Sequence, residues 1–161
     1  TVDLNAMKQA SVMIMIILML IGGSPGSTAG GMKTTTFAVL MGNMVATFKR
    51  NKNIHFFERR IDNDTVKNAA MMYITFFVTG AFIINVTDGI SLGKCLFETA
   101  SAVGTVGLTL GITPQLGILS RIVLIILMFM GRVGGLTLIY AAFSGNGNSY
   151  SKFPEEKINI G

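Results

Sequence analysis

Three consecutive residues, Thr105-Val106-Gly107, lie in the stretch "SAVGTVGLTLG" and are of types that can form a binding site for a dehydrated cation. Potassium filters are built from rings of backbone carbonyl groups that replace the hydration shell of the ion. Glycine permits the unusual dihedral angles that point consecutive carbonyls in one direction, and the C-terminal end of a preceding helix carries partial negative charge. Such a site depends on backbone pattern, because its side chains contribute little.

A glycine-containing loop in any apolar chain can contain this triplet by chance. Its position at the end of a short predicted helix makes it more specific evidence for a cation filter. Ser91 can cap a short helix over the preceding "SLGKCLFETASAVG", which the glycines would end after about three turns. This helix and the loop after it are too polar and glycine-rich for a full membrane crossing, so the pattern predicts a re-entrant segment. The predicted potassium filter consists of Gly104, Thr105, Val106 and Gly107.

The elements around this segment are predicted to cross a membrane. Half of the 161 residues are hydrophobic, only 13% are charged, and the mean hydropathy is +0.59. Uncharged apolar runs occur at 9–32, 68–87 and 122–131, and a spanning helix needs roughly 20 such residues. A soluble helix would normally keep a polar stripe, which 68–87 lacks. The predicted fold class is therefore an all-α integral membrane protein with helix–pore loop–helix repeats, one broken transmembrane helix and one re-entrant pore helix.

The charge distribution predicts the topology. Seven of the thirteen basic residues lie in 33–67, and the positive-inside rule places that region in the cytoplasm. The span at 67–87 then runs outward, the span at 116–143 runs back, and the tail from residue 144 is cytoplasmic. The net charge of +5 is explained by this juxtamembrane cluster facing anionic lipid, so nucleic acid is not an expected partner.

The reactive side chains argue against catalysis by this chain. Cys95 is the single cysteine, which excludes an intrachain disulfide, and no cluster of Cys and His has the spacing of a zinc site. His55 is the single histidine and lies beside two phenylalanines, which favours a structural or interfacial role. We therefore expect no enzyme activity, no catalytic residue and no bound cofactor in this chain.

A glycine-rich interruption, "LIGGSPGSTAGGMKTTT", follows the first apolar run. The segment 22–31, called the glycine loop below, holds five glycines and a proline, and at about 1 kcal/mol per glycine and 3 for proline no continuous helix should persist. Irregular backbone at membrane depth is tolerated only where it is buried in protein or lines a watery cavity. Ser24, Ser27 and Thr28 could satisfy some of the freed backbone groups. The loop is predicted to project into the pore beneath the filter and to gate it.

Arg132 lies inside the last predicted span, 116–143, in the stretch "LMFMGRVGGLTLIY". An arginine at the centre of a span costs at least about 2.5–3.5 kcal/mol, so its side chain must face protein or water. It could bond the carbonyls of a neighbouring broken helix, or place positive charge in the ion path as a barrier or latch, and both together are the favoured interpretation. The predicted gate consists of Gly22, Gly23, Ser24, Gly26, Ser27, Thr28, Gly30, Gly31 and Arg132. Nearby Gly131, Gly134 and Gly135 are expected to allow close helix packing.

Two alternatives come from other classes of protein. The stretch "GSTAGGMKT" approaches a phosphate-binding loop, but Met32 stands where the lysine of that motif belongs, and the preceding apolar run is too long for a typical buried strand. A non-transporting membrane scaffold, whose glycines serve only helix packing, remains open. Membrane extraction would distinguish the phosphate-binding alternative from a membrane transporter. Potassium-dependent growth would distinguish the scaffold from a transporter.

Taken together, "IGGSPGSTAGGMKTTTF", "FETASAVGTVGLTLGITP", "MGRVGGLT" and the ending "FPEEKINIG" resemble the membrane subunit of Ktr-type potassium transporters in the Trk/Ktr/HKT superfamily. The resemblance extends over essentially the whole chain and implies four covalently linked helix–pore loop–helix repeats around one pore. It implies that 1–50 is the second helix of the third repeat, broken by 22–31, that 51–66 is a cytoplasmic connection, that 67–143 is the fourth repeat, and that 144–161 is a cytoplasmic tail. Three of the four filter strands would lie outside this chain.

The same resemblance implies roles and partners. The glycine loop would be the intramembrane gate, Thr105-Val106-Gly107 part of the fourth filter strand, and Arg132 a pore-facing residue that contacts the loop. Potassium would be the transported ion, with sodium open as a coupling ion in a symport. A homodimer of full-length subunits and a cytoplasmic ring of nucleotide-binding regulatory subunits are implied, with 49–60 and 152–161 as contact surfaces. Met32 and Gly135 depart from the isoleucine and proline of related sequences, and the second difference would change helix stiffness near Arg132.

Overall fold

The structure, a computed structural model, describes residues 3–49, 55–56, 59–60 and 63–134, and this part of the chain is mostly helical. Strand structure within these ranges is limited to one antiparallel pair of two-residue strands, with His55 opposite Arg60 and Phe56 opposite Arg59. Short 3-10 turns occur at Leu4–Ala6 and Thr113–Gln115. The elements are α1 (Gln9–Leu20), α2 (Thr34–Phe48), β1 (His55–Phe56), β2 (Arg59–Arg60), α3 (Asn63–Asp88), α4 (Leu92–Gly104) and α5 (Ile118–Val133).

Helix α3 covers the predicted span at 67–87 and begins four residues before it. Its stretch Val66–Asp88 is long and apolar enough to cross a bilayer by length and composition, and it alone meets that test among the described residues. Threonine hydroxyls along this helix donate to backbone carbonyls one turn earlier, as Thr79 does to Thr75 at 2.7 Å, so these hydroxyls are satisfied within the helix. Helices α1 and α2 are apolar but shorter.

Helix α4 is the centre of the described fold, packed against α1, α3 and α5. One face joins α3 and α5 in a core that includes Ile84, Cys95 and Leu124, so the thiol occupies the place of a small apolar side chain. The other face carries Phe97 and Ala100, which pack on α1. Large apolar side chains are exposed on the outer faces of α1, α3 and α5, an arrangement that suits lipid or further protein better than water.

Polar contacts hold α3 and α5 together at the end where α4 begins. Both oxygens of the Asp88 carboxylate accept from the backbone N–H of Gly117 at 3.2 Å, in the residue that precedes α5. One turn into α5, the hydroxyls of Thr87 and Ser120 are 2.8 Å apart. A carboxylate at a helix N-terminus satisfies a free N–H and complements the helix dipole, so Asp88 determines where α5 begins relative to α3.

Ser91 occupies the N-terminal cap position of α4 but makes no capping hydrogen bond through its side chain, unlike the prediction. Its backbone carbonyl instead accepts from the N–H groups of Lys94 and Cys95, at 3.0 and 3.2 Å. The preceding turn is closed by the Asn85 amide, which donates to the carbonyl of Ile90 at 2.7 Å. The cap position is therefore as predicted, while a side chain from α3 closes the turn.

Candidate functional site

The predicted filter segment begins where α4 ends. The last helical residue is Gly104, and Thr105 then adopts a left-handed conformation with φ 52° and ψ 38°. The N–H of Thr105 donates to the carbonyl of Ala102 at 3.1 Å, and that of Val106 donates to the carbonyl of Ser101 at 2.9 Å, so the turn closes the helix. Thr105 is the single non-glycine residue with positive φ among the described residues, a conformation that costs of order 1–3 kcal/mol.

Two glycines of this segment are needed for different reasons. A Cβ added to Gly104 would collide with the backbone carbonyl of Met19, so glycine there permits α1 to approach the end of α4. Gly107 has open space around it but a φ of +84°, a conformation that residues with a Cβ rarely adopt. Glycine is required at 104 by a neighbouring helix and at 107 by its own backbone.

Glu98, in the middle of α4, was not singled out from the sequence, although it is the acidic residue next to the uncharged run that contains the filter. Its side chain is 5% exposed, and its carboxylate accepts from the hydroxyl of Thr109 and, at 3.2 Å, from that of Thr113. The Thr109 hydroxyl also accepts from the N–H of Gly111 at 2.9 Å. Since a buried carboxylate without partners is costly, these bonds stabilise Glu98 and join α4 to the segment that follows the filter.

The glycine loop is closed at its base by backbone bonds between its two flanks. The N–H of Gly22 donates to the carbonyl of Met32 at 2.6 Å, and the N–H of Met32 donates to the carbonyl of Leu20 at 3.2 Å. Within the loop, the hydroxyl of Ser27 accepts from the N–H of Ala29 at 3.2 Å. Helix α1 has ended at Leu20 and α2 begins at Thr34, so the non-helical segment contains the whole loop.

Of the three predicted hydroxyl partners of the loop, only Ser27 uses its side chain in this way within the described part of the chain. Ser24 takes part through its backbone carbonyl, which accepts from the N–H of Ser27 at 3.0 Å. The hydroxyls of Ser24 and Thr28 make no hydrogen bond to the described residues. The positive φ of Gly26, +85°, falls within this turn.

The C-terminal end of the loop, at Gly30 and Gly31, lies on Thr105 of the filter segment and on α5. The N–H of Gly30 donates to the hydroxyl of Thr105 at 2.8 Å, and the N–H of Gly31 donates to the backbone carbonyl of Gly131 at 3.2 Å. A Cβ on Gly30 would lie 2.6 Å from Cγ2 and 2.7 Å from Oγ1 of Thr105. The structure thus brings the predicted gate and the predicted filter into direct contact, through backbone groups that only glycine leaves room for.

Lys33 binds the opposite side of the loop. Its ammonium group donates to the carbonyl of Ser27 at 3.0 Å and to the carbonyl of Ala29 at 2.6 Å. Lys33 also occupies the N-terminal cap position of α2, where its side chain makes no capping bond. The loop is therefore held from two directions, by Thr105 and Gly131 at its C-terminal end and by Lys33 across its turn.

Arg132 lies beside the filter rather than on the loop. It is exposed, in the last turn of α5, and it lines a cavity of about 550 Å³ together with residues of α4 and of the filter segment. No hydrogen bond connects its guanidinium group to the loop within 3–49, and the α5 group that bonds the loop is the carbonyl of the preceding Gly131. The side chains around this cavity include Glu98, Ser101, Thr105, Thr109, Thr113 and Arg132.

Gly131 also brings α5 against α4. A Cβ on Gly131 would collide with the backbone carbonyl of Val103, so glycine permits the backbone contact that places the Gly131 carbonyl within reach of the loop. Gly134 follows the end of α5 with φ +83°, and Gly135 lies outside the described residues. The predicted span at 116–143 extends beyond the described range, and the predicted cytoplasmic tail at 144–161 lies outside it.

A family of cation transport proteins, TrkH, matches residues 1–150 of this chain. The chain therefore belongs to the TrkH family, whose members are cation transporters and not enzymes. A family of cation transporters is one of membrane proteins, and the apolar α3 and the exposed apolar faces agree with that environment.

Curated relatives align with the whole chain. The potassium/sodium uptake protein NtpJ of Enterococcus hirae is 36% identical over 170 residues. The Ktr system potassium uptake protein B is 36% identical over 164 residues in Vibrio alginolyticus and 32% identical over 164 residues in Bacillus subtilis. Each alignment covers 100% of this chain but 36–38% of the relative, so the chain spans well under half the length of the curated relatives it matches.

Proposed function

We propose that this chain is part of a gated, channel-like transporter that takes up potassium across a bacterial cell membrane. The observation that carries the proposal is the hydrogen bond from the Gly30 N–H to the Thr105 hydroxyl, which joins a glycine-rich loop to the first residue after a short buried helix. A loop at that position obstructs an ion that leaves a filter ending there. A packing role alone would not require a backbone N–H of the loop to bond a side chain of the filter segment.

In this proposal the backbone carbonyls of residues 104–107 replace part of the hydration shell of potassium. Helix α4 ends at Gly104, so its partially negative C-terminus faces the segment where the ion would bind. A ring of carbonyls needs four such strands, and this chain supplies one of them. The other three would come from the part of the longer protein that the relatives contain and this chain does not.

We infer the assignment of segments that the resemblance to Ktr-type membrane subunits implies. Residues 1–50 form the second helix of the third repeat, with α1 and α2 as the halves on either side of the glycine loop. Residues 51–66 form a cytoplasmic connection, 67–143 the fourth helix–pore loop–helix repeat, and 144–161 a cytoplasmic tail. The order of α3, α4 and α5, with α4 packed between its neighbours, supports the fourth repeat.

Potassium is the proposed substrate, because two of the relatives are named potassium uptake proteins and NtpJ is named a potassium/sodium uptake protein. Sodium is the ion to test for coupling in a symport. Two relatives are named as parts of a Ktr system, which supports regulatory partners for this chain as well. We infer a homodimer of full-length subunits and a cytoplasmic nucleotide-binding ring that contacts 49–60 and 152–161.

The proposal is tested with the full-length protein in a bacterial strain that lacks potassium uptake. Uptake is compared between the wild type, Gly107→Ser, and a variant with residues 22–31 shortened, after equal amounts in the membrane have been verified by immunoblot. Gly107→Ser should weaken potassium affinity or discrimination against sodium, since serine at φ +84° is strained and displaces the carbonyls. The shortened loop should raise the maximal rate.

Wild-type uptake in both inserted variants would return these glycines to a packing role, and no potassium uptake by the inserted wild-type protein would support a scaffold instead. Loss of potassium discrimination in Gly107→Ser without any change in the loop variant would retain the filter and reject the gate. The two halves of the proposal are thereby separated.

A further inference from the structure

The stability of α2 does not explain why a lysine stands at position 33. It stands at the N-terminal cap of α2, the end of a helix at which a positive charge is unfavourable, and it makes no capping bond there. A lysine has three N–H donors and no acceptor, so it cannot satisfy the free N–H groups of that first turn. The position of the charge therefore needs another explanation.

The carbonyls of the glycine loop provide that explanation. Ser27 and Ala29 direct their carbonyl oxygens to the same ammonium group, at 3.0 and 2.6 Å. In a turn that has few side chains able to satisfy its backbone, these two acceptors would otherwise lack a partner or bind water. A charged donor makes the strong class of hydrogen bond, so Lys33 contributes more to the loop conformation than a neutral residue would.

We propose that Lys33 is a tethered cation that holds the glycine loop against the filter by occupying the Ser27 and Ala29 carbonyls. The ammonium group is a monovalent cation of potassium-like size, and backbone carbonyls are the groups with which proteins replace the hydration shell of potassium. Lys33 thus satisfies, from within the chain, a carbonyl pair suited to the transported ion. Release of the loop requires these two bonds to break. The inference rests on the proposed gating function of the loop.

The geometry gives Lys33 a part distinct from that of the contacts at the C-terminal end of the loop. Thr105 and Gly131 bind N–H groups of the loop, whereas Lys33 binds its carbonyls. Removal of the ammonium group leaves the contacts of Gly30 and Gly31 and the backbone bonds at the base of the loop in place. The consequence is a loop that still forms but leaves the filter more often.

The test uses the full-length protein with Lys33→Met, Lys33→Gln and Lys33→Arg, and Lys8→Met as the matched control. Lys8 occupies the N-terminal cap position of α1, as Lys33 does that of α2, carries the same charge, and makes no side-chain bond to the loop within the described residues. Maximal rate and KM of potassium uptake are measured at equal membrane abundance. In parallel, Ala29→Cys, at a half-buried position of the seated loop, is placed in each background, and its labelling rate by a water-soluble thiol reagent reports release of the loop.

We expect Lys33→Met and Lys33→Gln to raise the ratio of released to seated loop about tenfold, the effect of losing roughly one charge-assisted hydrogen bond. This should appear as a higher maximal rate and faster labelling with an unchanged KM, because the filter is untouched. Lys33→Arg should restore slow labelling, and Lys8→Met should match the wild type. A merely structural lysine would change abundance but not labelling at equal abundance.

Wild-type labelling in both neutral variants would overturn the inference, and so would equal labelling in the Lys33→Met and Lys8→Met backgrounds. The variant with residues 22–31 shortened is assayed beside them. If shortening raises uptake while the Lys33 variants do not, the gate stands and the tethered cation is rejected. If shortening also leaves uptake unchanged in the inserted protein, the gate itself is rejected.

Discussion

Gly30→Ala places one methyl group between the glycine loop and the filter segment. Its Cβ would lie 2.6 Å from Cγ2 and 2.7 Å from Oγ1 of Thr105, and 3.0 Å from the carbonyl oxygen of Gly131. Three directions are therefore closed at once, and one of the neighbours is backbone that cannot rotate away. The loop must move off Thr105, which also lengthens the hydrogen bond from the Gly30 N–H.

The magnitude follows from two costs. Overpacking costs about 1–3 kcal/mol, and a lost neutral hydrogen bond about 1 kcal/mol, of which relaxation of the loop recovers part. A net destabilisation of the seated loop by about 2 kcal/mol changes its ratio to the released loop about 30-fold, since 1.4 kcal/mol corresponds to tenfold. We expect a higher maximal rate of potassium uptake with unchanged discrimination against sodium.

The assay is potassium uptake by the full-length protein in the strain that lacks its own transport, at equal membrane abundance. Gly93→Ala is the matched control, because Gly93 has nothing within 4 Å of an added Cβ and no positive φ. Thr105→Ala in the Gly30→Ala background removes the clashing atoms, so the effects of the two substitutions should not add. Wild-type uptake in Gly30→Ala, or additive effects in the double variant, would refute the contact on which the gate is based.

Two further predictions concern the supports of the filter. Glu98→Ala leaves the hydroxyls of Thr109 and Thr113 without their carboxylate acceptor. This variant should lower the free energy of unfolding by about 1–3 kcal/mol and reduce the ratio of potassium to sodium uptake. Glu98→Gln keeps one acceptor oxygen, so its losses of stability and of discrimination should be smaller. Uptake competition and thermal unfolding in detergent measure both effects, and an alanine variant with wild-type discrimination would contradict the role of Glu98. Asp88→Ala removes both acceptors of the Gly117 N–H and should lower the free energy of unfolding by about 1 kcal/mol without changing ion discrimination, whereas Asp88→Asn should lose less. A change in discrimination with Asp88→Ala would show that this contact also positions the filter.

Local patterns in the sequence were enough to locate the elements that matter. Helix α3 follows from an uncharged apolar run, α4 ends at Gly104 where the glycines begin, and α1 and α2 stop on either side of the glycine loop. These features depend on residues within a few positions of one another, since helix propensity and hydrophobic length are local properties. The membership of a cation transporter family, inferred from motifs, is confirmed over residues 1–150.

The contacts on which the proposed gate and filter depend join residues that are not neighbours in the sequence, so they come from the tertiary structure. Gly30 meets Thr105 across 75 positions of chain, and Glu98 meets Thr113 from the opposite side of the filter segment. The sequence predicts Arg132 as the α5 residue at the loop, whereas the hydrogen bond comes from the carbonyl of Gly131, a group that every residue carries and no pattern marks. The sequence by itself determined where the chain can be helical and where it must break. Packing of α1, α4 and α5 decided which backbone groups meet, because those distances depend on how whole helices approach one another.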